Sequence, residues 1–260
     1  VQTDPYSRLA EGYDFVMAHV DYAAWADYVQ TLFDRHIDEQ GIRSILELGC
    51  GTGELARHLQ PLGPYRYLGT DASAAMIARA RDKADAGAVK AHFAVAAFAE
   101  VPPGGPFDAA MLLYDGLNYV LHEAGLRRVF AAVHAALRPG GLFVFDQSTP
   151  ANSVNNAAYF EDEGEEDRFR YERRSQYDAE TRLHTTLFRI ETPEGTFEEK
   201  HVERAYALDE VRALVSERFE VVAAYDGFSL DPADDTTERV HWVVRKVGDA
   251  ERGAQHESDT

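Results

Sequence analysis

The 260-residue chain is long enough for one domain carrying an insertion, and its 45% apolar content is ordinary for a globular protein. Its 45 acids against 26 bases leave a net charge of −19, a field that repels phosphate backbones and argues against a nucleic-acid partner. No apolar run nears the roughly 20 residues that cross a bilayer, and the single cysteine, Cys50, rules out an intrachain disulfide. Only four of the bases are lysines, a balance open to two readings, adaptation to high salt or the bias of a GC-rich genome. The polar first eleven residues are not expected to form a signal peptide, so a cytoplasmic location is expected.

Residues 6–38 read as helical, because Trp25, Val29, Leu32, Phe33 and Ile37 recur at three- and four-residue spacing, and Gly41 ends the stretch. Strands and helices then alternate. An apolar strand enters Ile45-Leu46-Glu47-Leu48-Gly49-Cys50-Gly51-Thr52-Gly53, and a helix-compatible segment, 54–59, follows. A second strand covers 65–71, and Ser73 is placed to cap a helix through Met76, Ile77 and Ala80. Residues 92–95 and 107–114 are a third and a fourth strand. Leu126, Val129, Phe130, Val133 and Leu137 mark a helix face, expected to stop at Pro139-Gly140-Gly141 before a fifth strand at 142–146. This alternation predicts an α/β fold with a doubly wound, mostly parallel seven-stranded sheet, whose ligands lie at the carboxyl ends of the strands.

Beyond residue 150 the pattern changes. After an acidic run at 161–167, strand-like segments at 168–177, 182–191 and 196–206 are separated by short turns, as in an antiparallel β-meander. A helix at 208–217 and strands at 219–225 and 239–247 complete the prediction.

The glycine run is the most specific feature. Alternate glycines after a buried strand let the backbone turn sharply and let a ligand approach the main chain. A dinucleotide-binding fingerprint requires its third glycine where Glu54 stands, which disfavours a nicotinamide-dependent oxidoreductase. The Gly-x-Gly-x-Gly spacing behind Glu47 instead resembles the first motif of class I S-adenosylmethionine (SAM) dependent methyltransferases. That resemblance implies a Rossmann-like fold, SAM as cofactor and methyl transfer as the activity. It divides the chain into an N-terminal helical cap (1–40), a SAM-binding core (41–150), the meander over the active site (151–206), the rest of the core sheet (207–248) and a disordered tail (249–260).

Asp71, closing the second strand, matches the family's ribose-binding acid; as a plain helix-start acid it would serve the helix dipole instead. Glu47 matches the acid that helps hold the aminoacyl end of SAM, or caps loop amides. The resemblance further implies cofactor contacts from Gly49, Cys50, Gly51, Gly53, Ala72, Met76 and Tyr114. Ala97 departs from the family, which often places an adenine-binding acid there, and leaves the Phe98 backbone and ring for that contact. Tyr114-Asp115-Gly116-Leu117-Asn118-Tyr119 resembles the D-S-L-N-Y segment of a bacterial small-molecule subgroup, so Tyr119 and Asp115 are the catalytic candidates and Asn118 a substrate contact. Packing in the core is the alternative for Tyr119. The opening Tyr6 to Asp14 resembles the subgroup's Y-x-x-x-A-x-x-Y-D start, which places Tyr6 and Tyr13 over the cofactor. The run 198–206 resembles the strand that faces the active site, and His201 and Arg204 there are substrate candidates. A metal site is not expected. The expected partner is a small polar substrate, without nucleic acid or membrane and with a homodimer left open. An RNA methyltransferase and a non-catalytic SAM-binding module are the remaining alternatives.

Overall fold

The computed structural model describes residues 1–247, and the tail expected to be disordered lies outside them. In chain order the elements are β1 (Gln2–Thr3), α1 (Tyr13–Val16), α2 (Tyr22–His36), β2 (Ser44–Leu48), α3 (Glu54–Leu59), β3 (Arg66–Asp71), α4 (Ala74–Asp85), β4 (His92–Val95) and β5 (Phe107–Leu112). There follow α5 (Glu123–Ala136), β6 (Leu137–Ser148), α6 (Pro150–Asn155), β7 (Glu161–Glu166), β8 (Phe169–Asp178), β9 (Leu183–Thr192), β10 (Gly195–Arg204), α7 (Leu208–Ser216), β11 (Glu220–Asp226) and β12 (Arg239–Arg245). No helix among the described residues is long and apolar enough to cross a membrane.

The seven-stranded sheet has the order β11-β12-β6-β5-β2-β3-β4. Its β2 to β6 pairs are parallel, while β12 runs antiparallel to both β6 and β11. Every residue of β2 is buried, with Ile45 in the core on one face and Leu46 and Leu48 in the core on the other. One face packs under Trp25, Val29, Leu32 and Phe33 of α2, and the other under Leu126, Val129, Phe130 and Val133 of α5. Each large side chain buried in this way stabilises the fold by about 1.5–3 kcal/mol.

Pro139-Gly140-Gly141 does not end the preceding helix as expected. That helix stops at Ala136, and the Pro-Gly-Gly run is a bulge inside β6, where the pairing jumps from Phe107↔Leu137 to Ala109↔Leu142. A bulge tolerates a proline without an N–H, and Gly140 takes its φ of +77° without strain.

The meander forms a second sheet of order β1-β10-β9-β8-β7, which gains two strands the sequence did not signal. The acidic run supplies the edge strand β7, where charge blunts further pairing. Residues 2–3 add β1 in parallel to β10. Strand register sets the meander's inner face in rows: Tyr171–Ile190–Phe197, Arg173–Phe188–Glu199, Ser175–Thr186–His201 and Tyr177–His184–Glu203. The apolar end of this grid packs with Leu9 and Val16 and, at its margin, with Tyr6, Tyr13 and Phe15. The first forty residues thus divide. Residues 1–20, hereafter the strap, share an apolar cluster with the meander, whereas α2 belongs to the core sheet.

Candidate active site

All three motif glycines adopt left-handed backbone, with φ of +68° at Gly49, +52° at Gly51 and +81° at Gly53. A side chain costs roughly 1–2 kcal/mol in that conformation. At Gly53 a Cβ would also lie 2.8 Å from the Phe93 ring, so this glycine lets the start of α3 pack on β4. Gly51 has only Tyr13 nearby, 3.6 Å from the position of a Cβ.

Asp71 ends β3 and ties the loop to the next helix. Its Oδ2 accepts the Gly51 N–H at 3.0 Å and its Oδ1 the Ser73 N–H at 2.8 Å. Burial raises its pKa, and the two amides pull the other way. Each carboxylate oxygen has about two acceptor sites, so both keep one for a ligand hydroxyl. Ser73 caps α4 through the Met76 N–H and donates to the Tyr6 carbonyl at 2.8 Å. Glu47 does not cap the loop: it is buried and accepts the Tyr67 hydroxyl at 2.7 Å. Burial holds its carboxyl at about 7, against the downward pull of Tyr67.

Glu47, Gly49, Cys50 and Gly51 border a cleft into which Tyr13, Tyr22, Trp25 and Tyr114 turn, leaving an enclosed volume of about 40 Å³. Tyr22 and Trp25 are cleft residues that sequence reasoning missed, for they lie on a helix whose period reads only as core. Ala72 and Ala97 are exposed, Phe98 is half-buried beside Gly49, and Met76 is on the buried face of α4.

The loop that follows β5 is unusual. Tyr114 and Asp115 are consecutive non-glycine residues in left-handed conformation, φ +59° and +64°. They are held from β12, far away in sequence. The Arg239 guanidinium donates to Asp115 Oδ2 at 3.0 Å, lies 2.9 Å from Asp115 Oδ1 as an ion pair, and also bonds Asp146. Burial raises the Asp146 pKa, against the pull of Arg239.

A second cavity opens beside this loop, lined by Tyr6, Tyr13, Tyr114, Asp115, Tyr119 and Arg173 and floored by His201 and Glu203. It continues into a polar chamber bearing Asn152, Asn156, Ser175, His184 and Thr186, and Asp115 and Glu203 border both spaces. Burial is the main reason that the Glu203 carboxyl is raised above its usual range, and Asp115 adds to it. Tyr119 bonds Tyr6 hydroxyl to hydroxyl at 2.5 Å and bonds His201 Nδ1 at 3.0 Å. Burial raises its pKa strongly, so it stays a neutral phenol.

Two substrate candidates are placed differently from the expectation. Arg204 is on the opposite face of β10 from His201 and Glu203, over the Tyr206 ring, because strand side chains alternate. Asn118 is buried: it donates to the Ser148 and Arg204 carbonyls and accepts the Ser148 N–H, which spends both of its amide protons on the frame. Among the described residues no group of three or more His, Cys, Asp or Glu is arranged to hold a metal ion.

Residues 45–141 match the family model described as "Methyltransferase domain". The chain is 30% identical over 247 residues to the protein named "Putative methyltransferase GWCH70_2453" of Geobacillus sp. (strain WCH70), spanning 93% of this chain and 99% of that one. The chain belongs to the class I SAM-dependent methyltransferases. The methyltransferase also superposes on a SAM-dependent methyltransferase from Clostridium acetobutylicum with a TM-score of 0.76 at 24% identity, covering 94% of this chain and 99% of that one. The sugar N-methyltransferase KedS8 of Streptoalloteichus sp. gives 0.67 at 23% identity, with 91% and 93% covered. The cofactor is SAM, and the glycine cradle and the strand-end Asp71 suit an adenosine ligand. Gly49, Gly51, Asp71 and Glu47 are the residues that would hold it in this methyltransferase.

With Glu47 set beside the ligand, its raised carboxyl should make cofactor binding depend on pH. A ligand ammonium beside it favours the ionised carboxylate. Below about pH 7 binding must then expel the Glu47 proton, and above it the carboxylate is already ionised. SAM affinity should therefore rise up to about tenfold per pH unit towards neutrality and level off above it. In Glu47→Gln the rise should vanish. Calorimetry at pH 6 and 7.5, in buffers of different ionisation enthalpy, measures both affinity and proton release. Equal affinities with no proton released would remove Glu47 from the cofactor site.

Proposed function

We propose that this methyltransferase acts on a small polar molecule, a hydroxylated amine whose nitrogen accepts the methyl group. One observation carries the reading: Asp115 and Glu203 face a cavity they share with Tyr6, Tyr119 and His201, and the same two acids border a chamber of amides and hydroxyls. Arg239 already pairs with Asp115 and Arg173 lines both spaces, so Glu203 is the acid left to receive an amine, and neutral amides and hydroxyls suit substrate hydroxyls. The likeness to KedS8, named a sugar N-methyltransferase, supports the class of acceptor. The net charge of −19 weighs against an RNA substrate.

Bound SAM supplies the electrophilic methyl group. The chain's own task is alignment, exclusion of water and removal of one proton. An amine that arrives as an ammonium ion has no free lone pair until it loses that proton. Glu203 borders the cavity and, held above the ordinary carboxylate range, is suited to take the proton near neutral pH. Tyr119, a neutral phenol fixed between Tyr6 and His201, orients the acceptor nitrogen.

The test is a screen of hydroxylated amines, alcohols, carboxylic acids and tRNA for SAM-dependent turnover. Amines should be methylated. With an accepted amine, Tyr119→Phe should lower turnover ~10²-fold with SAM affinity almost unchanged, and Glu203→Gln should slow it by a similar factor. Efficient methylation of tRNA, or a Tyr119→Phe variant as fast as the parent, would sink the assignment.

A further inference from the structure

The strap and the acceptor side of the cavity meet at one buried carboxylate. Glu199 stands on β10, and its side chain is 0% exposed. Its Oε1 accepts the N–H groups of Arg8, at 2.6 Å, and Leu9, at 2.9 Å, and the Ser7 hydroxyl at 3.3 Å. Its Oε2 accepts the Tyr6 N–H at 2.7 Å and bonds His201 Nε2 at 3.1 Å. His201 in turn bonds Tyr119, and Tyr119 bonds the Tyr6 hydroxyl. The hydrogen bonds form a closed ring: from the Tyr6 amide through Glu199, His201 and Tyr119 back to the Tyr6 side chain. Tyr6 holds this position at a left-handed φ of +61°, which the surrounding bonds must sustain.

The same strap covers the cofactor loop. Its Tyr6 carbonyl takes the Ser73 hydroxyl, Asp14 bonds Thr52 at 2.5 Å and Lys83 at 2.6 Å, and Tyr13 stands over Gly51. Tyr13 is the strap residue that borders the cleft beneath, beside Gly51. Against the core the strap has these polar bonds, the Tyr6–Tyr119 hydroxyl pair, the contact of residues 9–11 with α4 and the packing of Val20 on the core cluster. Against the meander it has the β1 pairing, the Glu199 bonds, the Arg8–Glu194 pair at 2.7 Å and a shared apolar cluster.

We propose that Glu199 is a positioning residue that makes the alignment of His201 and Tyr119 conditional on the seating of strap residues 6–9. Lifting the strap opens the ring at two points, the Tyr6 amide and the Tyr6 hydroxyl, and leaves the Tyr119 hydroxyl with His201 as its one remaining partner in the ring. Such a coupling is reciprocal, so weakening the His201–Tyr119 side must loosen the strap. A carboxylate that merely capped strap amides would not transmit that change.

The prediction needs no acceptor substrate, so it can fail separately from the amine assignment. Hydrogen exchange of the full-length protein is measured at the amides of Tyr6, Arg8 and Leu9, with those of residues 45–48 as the internal reference. His201→Gln leaves every strap–Glu199 hydrogen bond in place but loses the His201–Tyr6 ring contact, so the reading is taken at Arg8 and Leu9, where exchange should speed ~5- to 150-fold, the usual range of a coupling between sites, with the reference unchanged. Release of S-adenosylhomocysteine should accelerate by a factor in the same range. Glu199→Gln should show a larger effect. If His201→Gln perturbs the reference amides, Tyr119→Phe takes its place, read again at Arg8 and Leu9 because it also removes the Tyr6 hydroxyl bond. Strap exchange at the parent rate in the variant that keeps the reference intact would overturn the proposal and leave Glu199 a structural cap.

Discussion

Gly51→Val should abolish SAM binding while the protein stays folded. The residue sits at φ +52°, where a β-branched side chain is strained, and its Cα faces the cleft between the loop and Tyr13. The substitution therefore acts twice, straining the loop and filling ligand space. The backbone strain, on the order of 1–2 kcal/mol, should lower the melting temperature without unfolding the chain. Asp71→Asn is the milder companion. One oxygen still accepts an amide N–H, but the charge and one acceptor are gone, so affinity should fall by roughly 1.5–3 kcal/mol, about 10- to 150-fold. Asp71→Ala should cost more, because it also orphans the Gly51 and Ser73 amides. Calorimetry with SAM reads all three variants, and unchanged affinity in Gly51→Val and Asp71→Asn would move the cofactor elsewhere.

The candidate cofactor loop was legible as a structural unit because it is local. A buried strand, three glycines and a strand-end acid lie within 27 residues, and strand–helix periodicity fixes where that strand end sits in the fold. The acceptor half was not legible, because it is assembled across sheets. Glu203 faces the cavity and Arg204 does not, a difference of one residue that only the register of β10 against β9 decides. Glu199 looked like one more acid in a charged strand until the strap amides converged on it. The edge strand β7 is almost wholly acidic, a composition disfavoured in strands, and it forms because pairing with β8 sets Asp162 against Arg173 and Tyr171. The bulge at Pro139 likewise defeats the rule that Pro-Gly ends a helix, since the helix had already ended.

Arg239→Met should cause the largest loss of stability among single substitutions near the site. The guanidinium lies between Asp115 and Asp146 and stacks over Trp25 and Tyr114, with ring-centroid distances of 5.7 and 5.5 Å. Asp146 accepts the Asp115 backbone N–H, so the three residues together pin the left-handed Tyr114–Asp115 pair. Removing the cation leaves two carboxylates facing each other, one of them fully buried. Breaking a buried pair costs about 3–5 kcal/mol. The lower end applies here, because Arg239 and Asp115 remain 23% and 21% exposed and Asp146 can take up a proton. That proton sets the pH dependence. Without Arg239 the folded-state pKa of Asp146 rises further above its unfolded value, so the stability it contributes is intact at low pH and is lost as pH rises through it. The deficit against the parent should therefore be small at pH 5.5 and larger at pH 8, as read by urea unfolding at each. Arg239→Lys should restore little, since a point charge cannot bond both carboxylates in the planar fork. Equal deficits at the two pH values would show that Arg239 acts by packing on Trp25 and Tyr114 rather than by holding the acids together.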